Sequence, residues 1–369
     1  MKIPIFRLNF DEGFTSRFHD GCKQIFDSGI LTNGHQVTEF EKQFSALCNT
    51  SHALAVNSGT SALEVVLRAL NVKAKTVIIP TNTFIATAVA VENAGAEVLP
   101  LDIEDESFSL SPEELNKYLH ADIGAVIVVH IGGIVSRYIH EIKQMCDNHG
   151  VPLIEDACHA HGSRHLNITA GSFGTAGCFS FFPTKVMTTG EGGMITTNEK
   201  NLLDRMLSIR QFGMHPENKD LHIRSGANFK MTEFQALLGI LGIERLPHRI
   251  QRRNDLARIY RNRLKDTPWK AVSPPDGGKS SYYKQIVLSP LDREIISTHF
   301  KKRRIELTGE VYRYPIHHQP VYARFNQTHH YPVADIFCER HICPPLYPDL
   351  LDEEVEYICD SLLNLLNNA

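Results

Sequence analysis

One alternation constrains the fold more than any other feature of this chain. Through the first two-thirds, short apolar runs give way again and again to segments of helical period. His52–Val56 (HALAV) leads into NSGTS and then a segment where Ala62, Leu63, Val66, Leu67 and Leu70 recur at three- and four-residue spacing. Thr76–Pro80 (TVIIP) precedes FIATAVAVENAG, which Gly95 ends, and AEVLPLDI follows. Ser111-Pro112-Glu113-Glu114 reads as a helix start, with a serine cap, a first-turn proline and a glutamate three residues on. Ala125–His130 (AVIVVH) is apolar along almost its whole length, a helix closes at Gly150, and Val151–Asp156 (VPLIED) comes next. Continuous apolar strands interleaved with helices predict an α/β fold whose mostly parallel sheet is covered on both faces.

After residue 246 the pattern changes. RLPHRIQRRNDLARIYRNRLKD is a basic helix with Leu256, Tyr260 and Leu264 on one face, read with its arginines on a solvated side. The loop SPPDGGKS then precedes a strand expected in YYKQIVL. A length of 369 residues suits about two domains, here a large one over 1–246 and a smaller α+β one over 247–369. A net charge of −4 gives no basic field for nucleic acid. The N-terminal MKIPIFRLNF reaches Arg7 before any long apolar stretch, so neither a secretory leader nor a membrane span is expected. Eight cysteines without a CxxC pair fit a reduced cytoplasmic protein and no metal centre.

Three local signals carry chemistry. In NSGTSAL, Ser58, Gly59, Thr60 and Ser61 lie between a strand and a helix, where backbone N–H groups and the helix dipole favour a phosphate; an ordinary helix cap has the same look. Neither a GxxxxGK[ST] loop nor a GxGxxG fingerprint occurs. Asp156 ends a strand, where ligands bind in open α/β sheets, although adjacent Glu155 and Asp156 also suit a cap. Lys185 stands between the aromatic run FSFFPT and the turn TTGEGG, as either a snorkelling surface lysine or a desolvated nucleophile. Together a phosphate site, a strand-end acid and an imine-forming amine are what pyridoxal phosphate requires. Phe84, in TNTFIAT, is placed either to stack on its ring or to fill the core.

NSGTSAL, PTNTFIATAVAVENAGAEVLPLDI, IEDACHAHGS, GSFGTAGCFSFFPTK and TTGEGGMITT resemble the DegT/DnrJ/StrS family of nucleotide-sugar aminotransferases, from Ile30 nearly to the C-terminus. The resemblance implies a fold-type I pyridoxal-phosphate enzyme. It gives Lys185 the role of Schiff-base lysine, Asp156 that of pyridinium partner, and Gly59, Thr60, Ser61 and Ser180 the phosphate. Phe84 takes the stacking position, and His159, where the family often has glutamine, remains a cofactor contact. GANFKMTEFQALLG resembles a stretch whose asparagine, here Asn228, reaches a neighbouring subunit's cofactor, which implies a homodimer. Phe229-Lys230 departs from the family's Tyr-Arg and lacks a hydroxyl and a forked guanidinium.

The implied reaction moves an amino group from L-glutamate to a nucleotide-linked keto-sugar. TTGEGGM resembles branches that aminate C4 of a 4-keto-6-deoxyhexose. His317 and His318, in YRYPIHHQPVY, are the expected sugar-facing residues. The alternatives are a sugar dehydratase of the same fold, in which histidine typically replaces the lysine, and a regulatory protein without turnover.

Overall fold

The computed structural model describes residues 2–307, 310–327 and 329–366. Two helices, α1 (Glu12–Ser28) and α2 (His35–Cys48), precede the alternating region. The strands are β1 (His52–Val56), β2 (Thr76–Pro80), β3 (Glu97–Leu101), β4 (Ala125–Val129), β5 (Leu153–Asp156), β6 (Ala176–Ser180) and β7 (Gly193–Thr197). The helices α3 (Gly59–Ala69), α4 (Ile85–Asn93), α5 (Pro112–Tyr118), α6 (Ile139–His149) and α7 (Lys200–Arg210) lie between and after them. Ser111 caps α5 as expected, its hydroxyl accepting from the Glu114 N–H.

The seven strands form one sheet in the order β1-β7-β6-β5-β4-β2-β3. β7 runs antiparallel to both its neighbours, and the other pairings are parallel. Two apolar layers cover the faces, one including Phe40, Phe44, Val126 and Phe179, the other including Val65, Val77, Ile127 and Ile195. β4 is buried at every position, as its unbroken apolar run requires. The carboxyl ends of β2, β5 and β6 therefore open on one edge of the sheet, carrying Thr81, Asp156 and Ser180.

Two glycines let the turn before α3 close on that edge. A Cβ on Gly59 would stand 2.7 Å from the Ser180 Cβ, and one on Gly193 would stand 2.2 Å from the Ser58 carbonyl oxygen. Any side chain at either position would push the turn away from β6 and β7.

Helix α8 (Glu233–Leu264) begins with a capping box between Thr232 and Gln235 and runs on with Pro247 inside it. The boundary expected between 246 and 247 thus lies within one helix. Its second half carries Leu256, Tyr260 and Leu264 into a separate core with Trp269, Phe300, Ile358 and Leu362. Ile3 enters the same core, so the chain's start folds back onto its end. Helices α9 (Arg293–Lys302), α10 (Pro332–Arg340) and α11 (Asp352–Leu366) complete this part, with a small sheet of β8 (Lys270–Ala271), β9 (Val287–Leu288) and β10 (His341–Ile342).

Two expectations are corrected here. Only Val287–Leu288 of YYKQIVL is strand, because side-chain bonds hold the preceding residues. Ser280 Oγ donates to the Gly133 carbonyl, and Ser281 Oγ to that of His159, both at 2.8 Å. The arginine run is not wholly a solvated face either. Arg253 is buried and donates to the carbonyls of Tyr282 (2.9 Å) and Leu346 (2.8 Å). Burial, with Arg249 nearby, lowers its pKa to about 10. No described helix is long and apolar enough to cross a membrane.

Candidate active site

At the open edge of the sheet lies a cleft of about 330 Å³. Its floor is the N-terminus of α3. Ser58 caps that helix, its hydroxyl accepting from the Ser61 N–H at 3.0 Å, and its carbonyl takes the Ala62 N–H. The N–H groups of Gly59 and Thr60 remain, without an intrahelical acceptor and at the positive end of the dipole. Gly59, Thr60 and Ser180 line the same corner.

Asp156 enters from the end of β5. The Thr87 hydroxyl, one turn into α4, donates to its Oδ2 at 3.0 Å, and the Cys158 N–H donates to Oδ1 at 3.2 Å. Neither Asp156 nor Glu155 is a helix cap. Glu155 points to the other side of the strand, where its oxygens accept from the N–H groups of Gly171, Phe173 and Gly174 and from His130 Nε2. One acid of the pair faces the cleft, and its neighbour holds a loop.

Lys185 follows β6. Its ammonium lies 4.6 Å from the centroid of the Tyr283 ring, a cation–π contact. Tyr283 in turn stacks on His159 with ring centroids 4.3 Å apart. Tyr312 lies beyond, 5.8 Å from His159 and 6.3 Å from Phe84, which is 59% exposed and so no core residue. His159 is buried, and its Nε2 approaches the Tyr312 hydroxyl at 3.4 Å while Nδ1 has no protein partner. Burial first, then Lys185, Lys284 and His161, hold its pKa well below the usual histidine range, so it is neutral at pH 7. Burial, and then Asp156, push the Cys158 thiol far up, which makes it a poor nucleophile.

The structure thus brings Gly59, Thr60, Phe84, Asp156, His159, Ser180 and Lys185 to one cleft, with Ser61 just inside α3. Asn228 is exposed and does not line the cleft, though its carbonyl accepts from Nδ2 of Asn57, next to Ser58, at 3.2 Å. His317 and His318 do not line the cleft. A short 3₁₀ turn (Ile316–His318) directs both rings at Asp335 instead. Sequence reasoning missed Thr87, Tyr283 and Tyr312. Thr87 carried a weak signal, one turn after Phe84, and Tyr312 opens the stretch YRYPIHHQPVY in which only the histidines were singled out; Tyr283 carried none.

The sequence profile described as the DegT/DnrJ/EryC1/StrS aminotransferase family matches residues 14–363. The chain belongs to this family. A family relative, GDP-perosamine synthase of Vibrio cholerae, is 30% identical over 371 residues, covering 99% of each protein. A transaminase of Campylobacter jejuni, named for UDP-4-amino-4,6-dideoxy-N-acetyl-beta-L-altrosamine, is 29% identical and is covered to 95%, as is this chain. Among solved family structures, S. venezuelae DesV in complex with a ketimine intermediate superposes with a TM-score of 0.91 at 26% identity, covering 99% of this chain and 98% of that one. The architecture is that of the family's pyridoxal-phosphate aminotransferases, α/β with a mostly parallel sheet.

Proposed function

We propose that this protein transfers an amino group from L-glutamate to a nucleotide-linked keto-deoxy sugar, at C4 of a 4-keto-6-deoxyhexose, with pyridoxal phosphate as cofactor. One observation carries the reading: an amine, a buried carboxylate and a helix N-terminus converge on a single cleft. Pyridoxal phosphate fits this donor set, and when bound it supplies an electrophilic aldehyde and a ring that accepts the electron pair released at an amino acid's α-carbon.

The chain's own groups do the rest. The N–H groups of Gly59 and Thr60, with the hydroxyl of Ser180, suit the phosphate. Asp156, held from both sides by Thr87 and Cys158, keeps a proton on the pyridine nitrogen. Phe84 and His159 suit the faces and polar edge of the ring. Lys185 would hold the aldehyde carbon, and its amine, when free, would be the base placed to take a proton from the donor's α-carbon. The Tyr283 ring beneath the ammonium limits where that amine can swing.

Three further points belong to the same reading. The protein works in the cytoplasm as a homodimer, with Asn228 directed to the second copy's cleft; its exposure supports this. The chain divides functionally at residues 1–246 and 247–369. The sugar is held against Phe84, Tyr312 and Glu191, which line the cleft.

The test is the absorption spectrum of the protein loaded with pyridoxal phosphate. A band that bleaches on adding L-glutamate and returns with a nucleotide-linked 4-keto-6-deoxyhexose is the expected result. In Lys185→Ala the cofactor should be retained without covalent attachment, and the response to glutamate should vanish. A protein that takes up no pyridoxal phosphate refutes the assignment.

A further inference from the structure

A second cluster of polar side chains lies outside the cleft and plays no part in the proposed reaction. His317 and His318 are consecutive on the 3₁₀ turn Ile316–His318, and Asp335 sits in the first turn of α10. Consecutive residues ordinarily diverge, yet both imidazoles here present Nε2 to the same carboxylate oxygen. His317 Nε2 is 2.9 Å from Asp335 Oδ1, and His318 Nε2 is 3.2 Å from it. One ligand atom from each of the three side chains lies within 4.8 Å of the other two.

We propose that His317 Nε2, His318 Nε2 and Asp335 Oδ1 form a binding site for a divalent transition-metal ion, of which zinc is the best match. Two imidazoles and a carboxylate are the donor set zinc accepts, at about 2.0–2.2 Å from the ion. Ligands at that radius in a tetrahedron stand roughly 3.3 Å from each other. Two edges of the cluster, 2.9 and 3.2 Å, already have that length within a few tenths of an ångström.

The surroundings prepare the ligands. The other ring nitrogen of His317, Nδ1, is 2.6 Å from the Thr81 hydroxyl, which leaves Nε2 to face the ion. Metal-bound histidines nearly always have such a partner on the second nitrogen. Asp102 fixes the start of α10, its carboxylate accepting from the N–H groups of Val333 and Ala334 at 3.0 and 2.9 Å, so Asp335 rides on an anchored helix. The Ile316 N–H donates to the Thr81 carbonyl at 2.8 Å, which pins the histidine turn to the residue after β2. His317 is buried, while the side chains of His318 and Asp335 are about half exposed. An ion there has three protein ligands and a solvent-facing fourth position.

The site is a clamp more than a reaction centre. It ties the turn after Tyr312, which walls the cleft, to α10 and to the end of β2. Metal binding would therefore brace this turn against α10 within the small part of the molecule, and the Thr81 contacts carry that brace to the sheet's active edge.

Cobalt(II) is the probe, because its visible bands report coordination directly and zinc competes for the same ligands. The untagged, pyridoxal-phosphate-loaded protein is titrated with cobalt chloride and then with zinc. The expected result is one cobalt per chain with bands typical of four or five ligands, abolished by one equivalent of zinc. His318→Ala and Asp335→Asn should remove them, and Thr81→Val should weaken binding roughly 10–100-fold, as loss of an outer partner does. His19→Ala, at an exposed site on α1, should bind cobalt as the parent does. No stoichiometric binding, or bands that persist in both His318→Ala and Asp335→Asn, would overturn the proposal. Because the readout is cobalt absorption and not turnover, a failure here leaves the transaminase reading standing.

Discussion

Replacing Glu155 tests whether one acid of the Glu155-Asp156 pair serves the fold alone. Its side chain is fully buried and accepts four hydrogen bonds. Oε1 takes the N–H groups of Phe173 (2.7 Å) and Gly174 (2.9 Å), and Oε2 takes those of Gly171 (2.7 Å) and His130 Nε2 (2.9 Å). The Ser136 N–H points at His130 Nδ1 at 3.3 Å, which makes Nδ1 the acceptor and Nε2 the protonated nitrogen. Glu155→Ala would strand four donors away from water. Each unsatisfied buried group costs about 1–3 kcal/mol, and water entering the space left by the side chain would reduce the sum. With water relieving part of that cost, about 3–5 kcal/mol, near the low end for four such groups, is the destabilisation expected. Glu155→Gln keeps one carbonyl oxygen for Phe173 and Gly174 and should lose about half as much. Denaturant unfolding of the cofactor-loaded protein measures both, with Asp156→Asn in parallel. That variant should keep most of its stability and lose pyridoxal-phosphate binding and turnover. If Glu155→Ala unfolds within 1 kcal/mol of the parent, a threshold set by the smallest single-donor cost, the reasoning fails.

Other perturbations separate the remaining roles. Thr87→Val removes the O–H that orients Asp156; a hydrogen bond to a charged group is worth about 1.5–3 kcal/mol, so pyridoxal-phosphate affinity by equilibrium dialysis should fall by about tenfold or more. An unchanged affinity would show that Asp156 needs no such support. His341 is buried, with Nδ1 donating to the Phe337 carbonyl (2.7 Å) and Nε2 accepting from Val311 (3.2 Å), an arrangement only the neutral ring allows. Burial chiefly lowers its pKa to about 4, below an unfolded value of 6.5, so the unfolded chain binds the proton first. Stability is therefore whole above pH 6.5 and should fall by about 1.4 kcal/mol per unit as pH drops toward 4, a slope that His341→Gln should reduce in urea titrations. Burial alone would raise the Tyr283 phenol, but Lys185, Lys284 and the Thr184 hydroxyl together bring it below its usual value. Lys284→Met should move its ultraviolet titration upward, with Tyr283→Phe as the blank, and an unmoved titration would deny the lysine that influence.

What was legible in the sequence followed from forces that act locally. HALAV and TVIIP are strands over the residues expected, because unbroken apolar runs between turn residues leave few alternatives. Gly59, Thr60, Asp156 and Lys185 could be read for a related reason: strand ends and helix starts announce themselves, and a parallel sheet gathers them on one edge. Tyr283 could not be read this way. It reaches the cleft only because Ser280 and Ser281 bond to carbonyls of a distant loop and Arg253 bonds to the carbonyl before it. In the sequence those partners are polar residues like any others.

The same gap explains where plausible polar readings went astray. Arg253 looked solvated because charge on a helix usually is, yet the carbonyls of two later segments wrap its guanidinium. His317 looked sugar-facing because it interrupts an aromatic loop, yet Thr81 and Asp335 take its two nitrogens. In each case the hydrogen-bond partner was what the sequence did not show. Burial is a property of a segment, which periodicity records. A hydrogen bond belongs to two atoms, and the second was more than a hundred positions away for Ser280, whose hydroxyl bonds to Gly133. Glu155 and Asp156 show the limit most sharply. Strand geometry alone requires two adjacent acids to face opposite sides. Which side holds the cleft follows only from where Thr87 and the loop at Gly171 come to rest.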